Sequence, residues 1–303
     1  MENADTGPVV FDRRLLRMRR ARAAAGMRPA FLIERVAEDM AERLMPVLRR
    51  FEMAADLGTP GGAVRRVLAA SGKVGTIIAA DPLAGTLETD GGLPVAADEE
   101  ALPFRDASLD LVVSALSLQF VNDLPGTLVQ IRRALKPDGL FLAVLAGGDT
   151  LSELRQSFAA AEAEIEDGIS PRVAPFADLR DAGALLQRAG FALPVTDIDR
   201  LTVRYGSPFA LMQDLRGMGA ANALVERSRR PLRRATLRRM AEIYGERFAD
   251  ADRRIRATFE LIWLSGWAPH ESQQQPLAPG SAQQRLADAL GTREISTGEK
   301  AGG

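Results

Sequence analysis

Asp56 and Asp81 each end an apolar run, and a glycine-rich turn follows the first of them. The stretch A-A-D-L-G-T-P-G-G occupies residues 54–62, and T-I-I-A-A-D occupies residues 76–81. An apolar strand ending in a carboxylate, a glycine turn, a helix and a second strand ending in a carboxylate make a nucleoside site at the carboxyl end of a doubly wound sheet. The turn lets backbone approach the ligand, and the second carboxylate accepts hydrogen bonds from ribose hydroxyls. A plain strand–turn–helix corner carries similar glycines, so the turn by itself is a weak signal.

A dinucleotide site requires G-x-G-x-x-G, so that a pyrophosphate rests on a helix N-terminus. This turn reads G-T-P-G-G, and a carboxylate at Asp56 would repel pyrophosphate. It suits a cationic ligand instead. S-adenosylmethionine, with a sulfonium, an amino group and no phosphate, is the nucleoside that the pattern favours.

The elements that position these residues follow from periodicity. A third short apolar run precedes A-A-D-E-E-A-L-P-F (residues 96–104), and S-L-D-L-V-V-S (residues 108–114) reads as a buried strand. An amphipathic helix from about Leu124 leads to L-K-P-D-G (residues 135–139) and a strand over residues 140–145. Strands alternating with helices imply right-handed βαβ units and a parallel sheet. Upstream, residues 11–25 and 30–50 read as helices. The arginine run of the first is either a solvated face or a lid with a basic face for an acidic partner. Downstream, T-L-S-E (residues 150–153) matches a capping box opening a helix to about Glu166. Helices follow over residues 178–189, 208–217 and 232–248, with strands over 195–203 and 256–263, the last of them antiparallel. After Glu271 the composition predicts a mostly disordered tail with a short helix near residues 283–290. Residues 1–8 are expected to be loose.

At these motifs the chain resembles the class I S-adenosylmethionine-dependent methyltransferases. Within them it is most similar to the branch of the mitochondrial complex I assembly factor 5 proteins and their bacterial relatives. The similarity covers roughly residues 10–290. It rests on V-F-D-R (10–13), A-D-E-E-A-L-P-F (97–104), L-D-L-V-V-S-A-L-S-L-Q-F-V-N-D-L-P (109–125) and L-K-P-D-G. It continues through G-G-D-T-L-S-E-L-R (147–155), D-L-R-G-M-G (214–219) and G-W-A-P-H-E-S-Q (266–273). Malonyl-acyl-carrier methyltransferases share the first half. Two positions depart from the family pattern: Pro60 replaces the middle glycine of the first motif and removes an N–H, and Gln119-Phe120 stand where relatives often carry His-Trp.

The resemblance implies an α/β, Rossmann-like, seven-stranded sheet with a helical N-terminal lid (residues 1–50) and helical cap insertions near 147–190 and 204–250. The methyltransferase-like domain spans residues 51–270. S-adenosylmethionine is the expected cofactor: Asp56, Gly58 and Gly62 hold its methionine end, Asp81 its ribose, and Asp98 and Glu99 border the adenine. Ser114 and Leu116 are expected beneath the methyl. Loop solvation is the competing role for Asp98 and Glu99.

Methyl transfer from a sulfonium is an in-line displacement that needs alignment and dehydration more than a base. Candidates facing the substrate are Asp149, Glu153, Tyr205, Asp214 and His270. Asp149 also fits a helix N-terminus, Asp214 an internal ion pair with Arg216, and His270 packing beside Trp267. A methyltransferase of a protein side chain or small molecule is thus expected. The alternative is a non-methylating complex I assembly factor, either a scaffold or a protein-arginine hydroxylase as in its mitochondrial relatives. In that case a respiratory complex I subunit is the partner.

Composition narrows the classes. A net charge of −1 over 303 residues gives no bulk attraction for nucleic acid. Absence of cysteine excludes disulfides, a thiolate nucleophile and cysteine-ligated metal. His270 is the single histidine, so one chain cannot assemble a two-histidine, one-carboxylate iron site. No apolar run approaches ~18 residues, so no transmembrane helix is expected, and the chain reads as cytoplasmic. Only Lys73, Lys136 and Lys300 are lysine among 39 basic residues, an arginine bias that reads as a GC-rich bacterial genome.

Overall fold

The computed structural model describes residues 8–26, 29–83, 92–166, 168–274 and 291–293. Contacts group Met1–Pro269 into one unit and His270–Gly303 into another. Most of the expected tail, its short helix included, and residues 1–7 lie outside the described residues.

The first unit is built on one mixed sheet. In chain order its strands are β1 (Phe51–Leu57), β2 (Val74–Asp81), β3 (Leu93–Ala96), β4 (Leu109–Ala115), β5 (Leu135–Ala146), β6 (Ala192–Tyr205) and β7 (Ile255–Trp267). They lie in the order β3-β2-β1-β4-β5-β7-β6. The first five pair in parallel, and β7 inserts antiparallel between β5 and β6. The seven-stranded α/β sheet expected from the sequence is therefore present. The order reverses at β1 and β4, where the carboxyl ends of neighbouring strands diverge and open a crevice.

Both faces of the sheet are covered, and β4 is buried along its whole length. Leu111, Val113, Leu142, Val144, Phe259 and Leu261 point to one face. There they meet α2 (Phe31–Leu44), α3 (Ala63–Ala70), α5 (Ser152–Ile165) and α8 (Arg234–Phe248). Val112, Phe141, Ala143, Leu145, Ile262 and Leu264 point to the other, against α4 (Leu124–Ala134) and α6 (Leu179–Arg188). Such alternation is the period-2 signature of strands in a two-sided core. Local signals also held where side chains cap their own helices. Asp123 caps α4, and Asp178 caps α6, which Gly190 ends at φ +83°.

Three local expectations changed. The second helix stops at Leu44 rather than near Arg50. The strand expected over residues 140–145 starts earlier, with L-K-P-D-G as the beginning of β5: the pairing with β4 slips between Leu109 and Leu111, and Asp138 takes φ +62°. The capping box does not form. Leu151 stands at the N-cap in the left-handed region, while the Thr150 hydroxyl donates to the Glu260 carbonyl at 3.0 Å. The Glu153 carboxylate accepts from the Thr258 N–H at 3.1 Å and from its hydroxyl at 2.5 Å. Both capping side chains are thus committed to β7.

Helix α1 (Arg13–Ala24) is held at the strand tips by the segment before it. Asn122 Oδ1 accepts from the Val10 and Phe11 N–H groups at 2.9 and 2.8 Å. Phe11 bridges Leu224, and Asp12 caps α1 through the Leu15 N–H. On the far side α7 (Pro208–Gly217) runs into Gly219, at φ +73°, whose missing Cβ would lie 3.0 Å from Arg20 Cα. Glycine is needed there so that α1 can approach. Gly219→Ala is expected to destabilise the chain by about 1–3 kcal/mol. Gly245→Ala, in an exposed turn of α8 with nothing near the added methyl, is expected to stabilise it by about 0.5–1 kcal/mol. Denaturant unfolding of the two variants checks the contrast.

Candidate functional site

The glycine turn sits at the carboxyl end of β1. Gly58, at φ +64°, donates to the Ala80 carbonyl at 2.8 Å, and a Cβ on it would meet Ser117 Oγ at 2.4 Å and Glu99 Oε1 at 2.5 Å. The tips of β1 and β4 and the acidic loop after β3 therefore converge within one side chain's reach. Beyond the turn lies an apolar cavity of about 220 Å³. Pro60, Gly61, Gly62 and Leu116 form its floor, and Phe120, Phe176, Leu215 and Met218 are among its walls. Leu116 is held at φ +53°, a conformation that costs energy and is concentrated at functional sites.

Asp56 does not line this cavity. It is 1% exposed, and Arg65 Nη1, from the first turn of α3, donates to it at 3.0 Å. The cation expected opposite Asp56 is thus a guanidinium of the same chain. Burial pushes the carboxyl up to about 6, against the pull of Thr59 and Arg65. Ser114 is likewise turned inward: its hydroxyl donates to the Leu57 carbonyl at 2.7 Å and stitches β4 to β1. Gly62 is the N-cap of α3, and both it and Leu116 line the cavity.

Asp81 ends β2 and accepts from the Leu83 N–H at 2.6 Å; burial raises its pKa above the ordinary carboxylate value despite that bond. Asp98 and Glu99 lie beside it, and arginines of α1 hold both. Arg13 Nη2 donates to Asp98 at 2.6 Å and to Glu99 at 2.5 Å; Arg17 binds the other Asp98 oxygen. Arg20 reaches Glu99 Oε1 at 3.4 Å and Ser117 Oγ at 3.2 Å, its guanidinium 5.4 Å from the Phe120 ring centre. Glu99 is 2% exposed. Burial pushes its carboxyl up, yet Arg20 and Arg13 outweigh burial and hold it below the ordinary range. The solvated-face reading of the arginine run therefore fails for Arg13 and Arg20, whose side chains are each 13% exposed. The space left between α1 and Asp81 is about 10 Å³, room for about one water. An adenosine seated on Asp81 must displace α1 side chains.

The proposed substrate-facing residues scatter. Asp149 is more than half exposed and pairs with Arg200 at 2.6 Å, in a shallow surface groove apart from the cavity. Glu153 is tied to β7. Asp214 lies on α7 near Tyr205, whose phenol is pushed above its ordinary value by burial and by the Asp214 carboxylate. His270 belongs to the second unit, where its Nδ1 and the Ser272 hydroxyl are 2.7 Å apart. Arg65, Arg13, Arg17 and Arg20 were not singled out as partners of the acids from the sequence. A signal was there: residues 13, 17 and 20 recur at i, i+4 and i+7, one helical face.

A glycine turn over an apolar cavity at the β1–β4 switch point, on this strand order, defines the class I S-adenosylmethionine-dependent methyltransferase superfamily. Residues 55–143 match the family model described as "Methyltransferase domain". The arginine-hydroxylase NDUFAF5, mitochondrial, of Mus musculus is 41% identical over 298 residues, covering 96% of this chain and 87% of that protein. The chain belongs to the NDUFAF5 family. A malonyl-[acyl-carrier protein] O-methyltransferase of Gallionella capsiferriformans is 35% identical over 277 residues, covering 86% and 92%. Among solved structures, the YcgJ protein from Bacillus subtilis shares the fold at TM-score 0.52 and 16% identity, over 77% of this chain and 99% of that one. No helix among the described residues is long and apolar enough to cross a membrane.

The Asp56 pKa generates a prediction. Its folded-state value lies above the ordinary 3.8, so the folded protein keeps a proton that the unfolded chain loses. The contribution of this group to stability is full below pH 3.8 and declines as pH rises to about 6. Asp56→Asn removes that decline. Unfolding free energies across the window should shift in favour of the variant by roughly 1–3 kcal/mol.

Proposed function

We propose that the chain is an S-adenosylmethionine-dependent methyltransferase acting on a protein side chain or small molecule. The observation that carries this reading is the apolar cavity that opens directly on the glycine turn at the β1 and β4 tips. The cofactor, when bound, supplies an activated methyl for in-line displacement. The chain supplies the rest. Gly61 and Gly62 let backbone approach the methionine end, and Asp81 accepts from the ribose. The walls of Leu116, Phe120, Leu215 and Met218 exclude water and align the acceptor. Helix α1 and residues around it act as a lid, whose arginines move off Asp98 and Glu99 as the adenosine enters.

A second reading is favoured by the similarity to the arginine-hydroxylase NDUFAF5, which is higher and spans more of this chain than the similarity to the malonyl-acyl-carrier methyltransferase. On it, the same pocket serves hydroxylation of an arginine, with dioxygen as the oxidant and two electrons from an external reductant, the second oxygen atom leaving as water, or assembly without chemistry, on a respiratory complex I subunit. Pro60, which removes one N–H from the turn, agrees with that reading.

Isothermal titration with S-adenosylmethionine, with NADH as control, is expected to give micromolar binding of the first and none of the second. Absence of S-adenosylmethionine binding up to millimolar contradicts the methyltransferase reading. Mass spectrometry of complex I subunits treated with the protein separates the chemistries: addition of a methyl with S-adenosylmethionine alone supports the first reading, addition of an oxygen that requires dioxygen and a two-electron reductant the second.

A further inference from the structure

Two polar groups in the cavity wall lack partners. Arg20 Nη2 and Gln119 Oε1 are both buried, and neither makes a hydrogen bond. An unmet donor on a cation and an unmet acceptor on a neutral amide each cost free energy in an apolar enclosure. Arg20 is poorly compensated as it stands: its contact with Glu99 is long, and burial pulls its pKa below the usual arginine value. Glu99 has other partners too: Arg13 and the Ser117 hydroxyl bind the same carboxylate at 2.5 and 2.8 Å.

A third feature faces the same cavity. Helix α3 starts at Gly62 with no side-chain cap and no acidic residue in its first turn, and Gly62 and Ala63 line the cavity. Its N-terminus presents unpaired N–H groups and partial positive charge. One wall thus carries a guanidinium and a bare helix N-terminus, which together suit a carboxylate. The Gln119 carbonyl oxygen suits an ammonium. Asp56, expected from the sequence at the methionine end of the cofactor, is paired with Arg65 and does not line the cavity.

We propose that Arg20, the α3 N-terminus and Gln119 form a receptor for the α-amino-acid group of the nucleoside ligand, with the carboxylate between Arg20 and α3 and the ammonium on Gln119. The proposal rests on the reading of this cavity as an S-adenosylmethionine site and deepens it. Selectivity for nucleosides that carry an amino acid then comes from α1 and from position 119, not from the aspartate of the glycine motif.

Two thioether nucleosides test this by calorimetry on the full chain. S-adenosylhomocysteine carries the amino-acid group, and 5′-methylthioadenosine lacks it. The wild type is expected to bind S-adenosylhomocysteine at least about tenfold more tightly. Arg20→Met is expected to abolish the advantage of S-adenosylhomocysteine over methylthioadenosine, by a loss that falls on S-adenosylhomocysteine. Gln119→Met is expected to produce a smaller, several-fold loss with the same selectivity, and it breaks no existing hydrogen bond of the buried Oε1. Equal wild-type binding of the two nucleosides overturns the receptor while leaving the methyltransferase reading intact, as does an Arg20→Met loss that is the same for both. If the wild type binds neither, both readings fall.

Discussion

Everything at this end of the sheet depends on how carboxylates are kept inside it. Asp56, Asp81 and Glu99 are each no more than 8% exposed, and a carboxylate so far out of water needs a cation or several N–H groups. The chain supplies cations from two helices. Arg65 of α3 takes Asp56, and Arg13, Arg17 and Arg20 of α1 take Asp98 and Glu99. The first pairing fixes α3 against β1 and holds the glycine turn between them. The second draws α1 across the tips of β2 and β4. Phe11, Asn122 and Gly219 then secure α1 by packing, hydrogen bonding and close approach. The position of α1 and the shape of the cavity below it are consequences of neutralising the acids.

The sheet was legible because its signals are local. Apolar, buried-type runs marked β1, β2 and β4, and the capped α6 between Asp178 and Gly190 needed only its own residues. Gly58, Gly62, Asp81 and Leu116 could be placed at strand and helix ends for the same reason. What was not legible involves residues distant in the chain. Asp56 and Ser114 have the right types and spacing for ligand contacts, but their partners, Arg65 and the Leu57 carbonyl, are set by the fold. Thr150 and Glu153 spell a capping box, and β7, about a hundred residues later, offers both side chains better-buried partners. Asp149 precedes a helix in sequence yet turns to Arg200 on the surface.

The family motifs gain physical content from the same contacts. V-F-D-R supplies a bridge, a helix cap and the first arginine of the cluster, in that order. D-L-R-G-M-G ends in the glycine that admits Arg20. G-G-D-T-L-S-E-L-R closes one side of the cavity by tying α5 to β7. These motifs meet around α1 and the cavity rather than at a catalytic dyad. On the proposed reading, that arrangement serves to bind and enclose a charged nucleoside.

The central claim is that buried acids at the strand tips hold α1 in place. Hydrogen–deuterium exchange over residues 13–24 of the full chain, compared with an Asp98→Asn, Glu99→Gln double variant, tests it most directly. The account predicts that α1 loses protection in the variant while β1, β4 and β5 keep theirs. Unchanged protection of α1 would contradict it, because packing around Phe11 and Gly219 alone would then be sufficient to hold the helix.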